Sequence, residues 1–194
     1  DYIQGCWMKD DVIYPTYLIR EGANIAAPKQ PGANSKKFEG SWTGKESGYF
    51  AGSQADIKVL FDDLIFYNLS AFNGIHTGAL SSFGIIENNV AKTVFKDKPY
   101  YLKDENVVFE FRIQNDLLLL NSNDYSFYCG MGVEFGSEYV KGGIDIKMPT
   151  ALEVGIVETK EQDELFKKLV GDKYSDFIMY TSHVFYSELT WNGE

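Results

Sequence analysis

The chain has 194 residues, a net charge of −10 from 18 Lys and Arg against 28 Asp and Glu, and 44% apolar residues. This is a globular composition, and a chain of this length buries roughly 70% of its unfolded surface without disulfide or metal staples. The acidic balance weighs against nucleic acid and anionic membranes as partners and leaves a cationic protein partner open, and no apolar run reaches the ~18–20 residues of a membrane span.

Aromatic residues are abundant, with 13 Tyr, 14 Phe and 3 Trp, and there are 18 Gly. Aromatic and β-branched side chains suit pleated surfaces and Gly suits tight turns, so a β-rich fold is expected. Asp1 is preceded by no initiator Met and opens no signal-peptide pattern, so the chain reads as trimmed.

Residues 1–37 read as an irregular N-terminal segment. Val12-Ile13-Tyr14 and Tyr17-Leu18-Ile19 are short extended candidates, and 26–35, with Pro28, Pro31 and Gly32, is a linker. From Phe38 the texture changes. Short apolar runs predict strands over 39–50, 55–61, 64–71, 76–86, 89–96, 106–113, 116–122 and 132–141. The clearest alternation puts Val107, Phe109, Phe111 and Ile113 on one face and Val108, Glu110 and Arg112 on the other. The connections Asp62-Asp63, Asn73-Gly74, Asn88-Asn89 and Asn115-Asp116 are hairpin turns, because Asn, Asp and Gly tolerate positive φ. Strands joined this tightly are antiparallel neighbours. A meander of eight of them removes its edges by closing into a small barrel over 38–141.

Residues 142–194 read as a linker and a small α+β extension, or the start of a truncated second domain. Leu152, Val154 and Ile156 alternate as a strand would. Residues 159–170 predict a helix: Thr159 and Gln162 form a capping box, Asp163–Lys167 and Glu164–Lys168 are i,i+4 pairs, and Gly171 is the C-cap. Leu165, Phe166, Leu169 and Val170 make its apolar face. Aromatic and β-branched residues predict a strand over 176–190. The closing Asn192-Gly193 is a turn with no returning strand, which suggests that the natural chain continues.

Few residues carry chemistry. His76 and His183 have no partner at metal-ligand spacing, so no metal or cofactor is expected. No nucleophile elbow or phosphate loop is present. Asp56, Asp62 and Asp63 read as a solvated turn. Cys6 and Cys129 match no zinc or redox motif; they are either a long-range disulfide or two free buried thiols. Candidate binding residues are Tyr125, Phe127 and Tyr128 in an aromatic loop, with Trp42 and His76. The loop tyrosines offer contact area at low entropic cost, with packing over the barrel mouth as the alternative. Trp42, in a Gly-x-Trp, reads equally as a plug for the barrel end.

A wider pattern links Gly40-x-Trp42-x-Gly44, Ile75-His76-Thr77-Gly78-Ala79-Leu80-Ser81-Ser82-Phe83-Gly84, Asn89-Val90-Ala91, the 107–113 strand and Tyr128-Cys129-Gly130-Met131-Gly132-Val133-Glu134-Phe135-Gly136-Ser137-Glu138-Tyr139. It resembles exported bacterial β-domains of calycin-like shape, some attached to LprI-type, lysozyme-inhibitor-like proteins, over about half the chain. Such domains often carry a second Cys on the strand before the Cys-Gly turn. Here that strand has Val107-Val108, so the resemblance leaves Cys129 free or paired with Cys6. The resemblance implies an exported (periplasmic or extracellular) location and binding rather than catalysis. The sequence therefore leads to a non-enzymatic exported binding protein, of the hydrolase-inhibitor or immunity kind, using its acidic surface. A lipocalin-like carrier of a small apolar ligand and an interaction domain of a larger exported protein are the alternatives.

Overall fold

A computed structural model describes residues 2–10, 12–95, 106–124 and 126–179. Two strands near the N-terminus, β1 (Tyr2–Lys9) and β2 (Val12–Ile19), pair as an antiparallel hairpin. Eight more follow: β3 (Gly40–Gly44), β4 (Ala51–Phe61), β5 (Leu64–Asn73), β6 (His76–Glu87), β7 (Val90–Phe95), β8 (Val107–Gln114), β9 (Leu117–Ser122) and β10 (Glu138–Lys141). They form one closed antiparallel barrel in the order β10-β3-β4-β5-β6-β7-β8-β9. The expected meander and its closure are both present.

Turn chemistry sets this ring. Asn88 and Asn89 stand at φ 51° and 62°, and Asn115 and Asp116 at 51° and 61°, the twist that two-residue hairpins require. Gly74 at φ 58° opens the β5–β6 turn, which lies at 74–75, one residue later than the Asn73-Gly74 reading. The turns at 62–63, 88–89 and 115–116 share one end of the barrel, the base. The 74–75 turn and the connections 45–50 and 123–137 share the other, the mouth.

Alternation then decides what is inside. Trp42, Tyr67, Phe109, Phe111, Phe135 and Tyr139 are all at most 2% exposed and meet in one core with Phe38 and the aliphatic residues of β4, β5 and β9. Two of the polar groups buried there are satisfied locally. The Trp42 indole donates to the Phe38 carbonyl at 2.9 Å. The Tyr67 hydroxyl donates to Thr93, which donates in turn to the Phe83 carbonyl. Burial pushes the Tyr67 hydroxyl up to about 12, so it stays a neutral donor.

One irregularity matters outside the barrel. The β4–β5 register shifts between Val59 and Phe61, and three successive residues, Val59, Leu60 and Phe61, are buried. Alternation already points Leu60 outward; the bulge turns Phe61, paired with Leu64, to the same side, and the three form a second cluster outside the main core. Cys6 and Ile13 of the N-terminal hairpin cover it. The segment read from sequence as irregular thus contains a full hairpin at 2–19, because it has a barrel surface to pack on. Asp62 ties down the linker that follows: its carboxylate accepts from Gly32 N–H and the Ser35 hydroxyl, both at 2.9 Å, and these bonds hold it below the usual carboxylate range.

Beyond β10, two expectations fail. Residues 151–155 form turns rather than a strand, and 176–179 lie in a helical stretch from 174 where a strand was expected; the rest of the 176–190 reading lies outside the described residues. The helix α1 (Lys160–Val170) carries the expected Thr159–Gln162 capping box and Gly171 cap. Its buried face differs from the expected one. Leu165 and Leu169 are exposed, whereas Phe166 and Val170 pack with Ala151, Tyr174 and Ile178. The hidden reason is Asp163, which is 5% exposed. It accepts from the Tyr174 hydroxyl at 2.6 Å and from Ala151 N–H at 3.1 Å, and pairs with Lys167 at 2.8 Å. An acid at the centre of the contact rotates the helix away from its leucines and fixes the 151–155 turn through its backbone.

Two outcomes test this account. Phe111→Ala should cost ~3–5 kcal/mol in urea unfolding, whereas Leu169→Ala should stay within about 0.5 kcal/mol. Asp163, held low first by Lys167 and then by Tyr174, stabilises the fold above the unfolded carboxylate pKa of about 3.9, and that contribution disappears as pH falls through the lower folded value. Melting curves should therefore show Asp163→Asn less stable than wild type at pH 7, the difference shrinking as both are taken to pH 3.

Candidate functional site

The mouth is covered by residues 126–133, which return across the barrel after β9. Cys129 bridges to Gly78 on β6, and Gly130 N–H donates to the Thr77 carbonyl at 2.9 Å. The approach requires glycine: a Cβ on Gly78 would sit 2.7 Å from Cys129 Sγ and 3.1 Å from the Tyr128 carbonyl oxygen. Tyr128 is half-buried, its ring 5.4 Å from Phe95 and 5.9 Å from Phe109. It caps the core, the packing alternative named from sequence.

The other sequence candidates scatter. Trp42 is 2% exposed, inside the barrel and under the Lys141 ammonium at 5.2 Å, so it presents no surface to a partner. His76 is exposed at the start of β6, beside the cover. Tyr125 and the side chain of Phe127 lie outside the described residues. The cysteines are both free thiols. Cys6 packs at the base and Cys129 at the mouth, so barrel length separates them and the disulfide reading does not hold. Burial, and then Glu134, pushes the Cys129 thiol up to about 11; burial raises Cys6 as well.

What the mouth does offer is a groove of about 690 Å³ beside the cover. One wall is the β3–β4 connection from Gly44 to Ser47, the other is the 132–138 segment, and Phe72, Leu120 and Phe135 supply its apolar lining. Local bonds hold both walls. Asn73 donates to the Gly132 carbonyl at 2.8 Å, Gly132 itself standing at φ 68°. Ser47 accepts from Ser53 N–H at 3.0 Å. Lys45 and Glu138 join the two walls twice, backbone to backbone at 2.8 Å and ammonium to carboxylate at 2.8 Å. That pairing raises the Lys45 pKa through its bond to Glu138.

Among the described residues the groove is lined by three carboxylates, Glu46, Glu134 and Glu138, and by one cation, Lys45, already bound to Glu138. Glu46 and Glu134 are exposed. At the seam, the Ser53 hydroxyl lies against Gly44 and Gly136, where any Cβ would clash with it. The buried Tyr139 hydroxyl is its neighbour and has no hydrogen-bond partner of good geometry. Burial pushes that hydroxyl up to about 12, so it remains protonated. Chemically, the arrangement can accept hydrogen bonds from a guanidinium or ammonium through carboxylates and pack its alkyl stem on the exposed Phe72.

Sequence reasoning missed Glu46, Asn73, Asn121 and the serines, because the groove lining comes from five segments brought together only by closure. Part of the signal was visible: the Gly-rich run 128–139, quoted as a motif, supplies one whole wall. Scanning family models, curated proteins and solved structures found no match to this chain.

The cover makes a direct prediction. Gly78→Ala should lift residues 128–130 and speed alkylation of Cys129 several-fold at pH 8, with Cys6 unchanged, as read by mass spectrometry of labelled peptides. An unchanged Cys129 rate would mean that Gly78 is not what seats the cover.

Proposed function

We propose that the protein is a non-catalytic binding module that docks a cationic segment of a protein partner in the groove between 44–47 and 132–138. The observation that carries this reading is the excess of carboxylate among the described lining residues, with Glu46 and Glu134 exposed and Lys45 committed to Glu138. The net charge of −10 adds long-range steering toward a basic partner. Inhibition of a cationic hydrolase such as a lysozyme is the finer form of the proposal, and an exported location with membership among calycin-like barrel domains belongs to it too. Its support is the 40–139 pattern together with an eight-stranded closed ring. The carrier alternative is weaker, because the inward positions are filled by Trp42, Tyr67, Phe109, Phe111 and Tyr139.

The test is titration calorimetry of the full chain against a cationic lysozyme and against an Arg-rich peptide, at low and at physiological ionic strength. Binding should weaken roughly ten-fold with added salt and by a similar factor in Glu46→Gln/Glu134→Gln. Loss of hydrolase activity in the complex would support the inhibitor form. Absence of binding to either probe at low salt, or binding untouched by the double substitution, would remove the proposal.

A further inference from the structure

The N-terminal hairpin has two faces, and the barrel uses one. Gln4, Cys6, Ile13 and Tyr17 face the barrel: Cys6 and Ile13 pack on Leu60, Phe61 and Leu64, the Tyr17 ring lies 6.0 Å from Phe61, and Gln4 reaches Asp63. The register puts Ile3 opposite Leu18, Gly5 opposite Thr16, Trp7 opposite Tyr14 and Lys9 opposite Val12 on the other face. There Ile3 is 69% exposed, Leu18 63%, Trp7 51%, Val12 49% and Tyr14 39%. The Trp7 and Tyr14 rings stack at 4.3 Å, 14° from parallel, so the centre of this face is already ordered. Isolated exposed apolar residues are ordinary, but five on one side of a two-stranded sheet are a patch.

We propose that this face is an isologous dimer interface, covered by the same face of a second copy of the chain. The size fits: these side chains leave roughly 600 Å² exposed per copy, so pairing two copies removes about 1,200 Å², the lower bound of a specific interface. The shape fits a two-fold axis as well. The low row Gly5–Thr16 adjoins the tall row Trp7–Tyr14, so an antiparallel copy seats its aromatic pair over the other's gap, and both gaps fill at once. The charge fits a copy of this chain better than a basic partner: the face carries no carboxylate, and its one charged residue is Lys9. Because each copy carries −10, the pair repels at long range, and salt strengthens this contact while it weakens binding at the groove.

Sedimentation equilibrium of the full chain, from low micromolar to several hundred micromolar, reads the association. The expected result is a monomer–dimer equilibrium that tightens with salt and weakens at least ten-fold in Trp7→Lys and, separately, in Leu18→Lys. Both substitutions make the chain less negative, so general electrostatics would favour association and only the lost contact explains its loss. Both side chains point away from the barrel, and unchanged far-UV spectra and barrel melting confirm folded variants. A monomer at every concentration, or a dimer that both substitutions leave intact, overturns the proposal. So does a monomer that binds zwitterionic vesicles through Trp7, which would make the face a lipid-contacting surface.

Discussion

The fold turns on a four-residue strand. Among the described residues β10 alone joins β9 to β3, through Glu138–Val140 on one side and Tyr139–Lys141 on the other. Without it the sheet is an open meander with two long edges and an unsealed core, the configuration β proteins avoid. Its grip extends past the ladder: the Thr43 hydroxyl donates to the Gly142 carbonyl at 2.6 Å, Gly142 N–H donates to the Ser41 carbonyl at 2.7 Å, and Lys141 lies over the Trp42 ring. Tyr139, wholly buried, is the one side chain that β10 sends fully into the barrel.

Closure at that seam also builds the groove. After β9 the chain covers the mouth with 126–133 and descends along 132–138 before it can pair with β3. That descent is one groove wall, and the β3–β4 connection opposite is the other. The Lys45–Glu138 pair therefore belongs to both structures: it extends the closing ladder and partly neutralises the groove. Exposed on both sides, it adds little stability; its consequence is to leave Glu46 and Glu134 as exposed groove carboxylates with no salt bridge among the described residues.

Sequence was informative where local chemistry alone decides structure. Asn88-Asn89 and Asn115-Asp116 can adopt left-handed φ, so their turns, and the antiparallel order they impose, were legible residue by residue. The capping box at Thr159 and Gln162 was legible for the same reason. Legibility failed where burial reversed a residue's usual preference. Asp163 reads as one half of a surface ion pair, yet it is the buried centre of the C-terminal unit, and this inverts the helix face assigned to Leu165 and Leu169. Ala151 to Ile156 alternates like a strand but turns, because its backbone is held by Asp163 and Tyr174. The groove is a harder case still: its carboxylates lie about ninety residues apart in sequence, at Glu46 and at Glu134 and Glu138, and no local pattern joins them.

The bulge at Leu60 shows how one local defect propagates to the surface. A regular β4, with Ala55, Ile57 and Val59 inward, would place Leu60 outward and Phe61 inward. Shifting the register after Val59 turns Phe61 outward as well, beside Leu60 and Leu64, and the three make an apolar surface at the base. Covering it takes a flat element with one apolar face, and a hairpin supplies that at the least chain length. A two-stranded hairpin, however, is apolar on both faces whenever its sequence is dense in aromatic and β-branched residues, as Tyr2 to Ile19 is. Sealing the base therefore moves the unsatisfied apolar surface outward by one layer, from Leu60 and Phe61 to Trp7, Tyr14 and Leu18, instead of eliminating it. The barrel removes every sheet edge of its own, while the element that seals its base brings two edges and an open face back. Acidic charge at the mouth and apolar surface at the base thus divide the molecule into two regions of opposite chemical character.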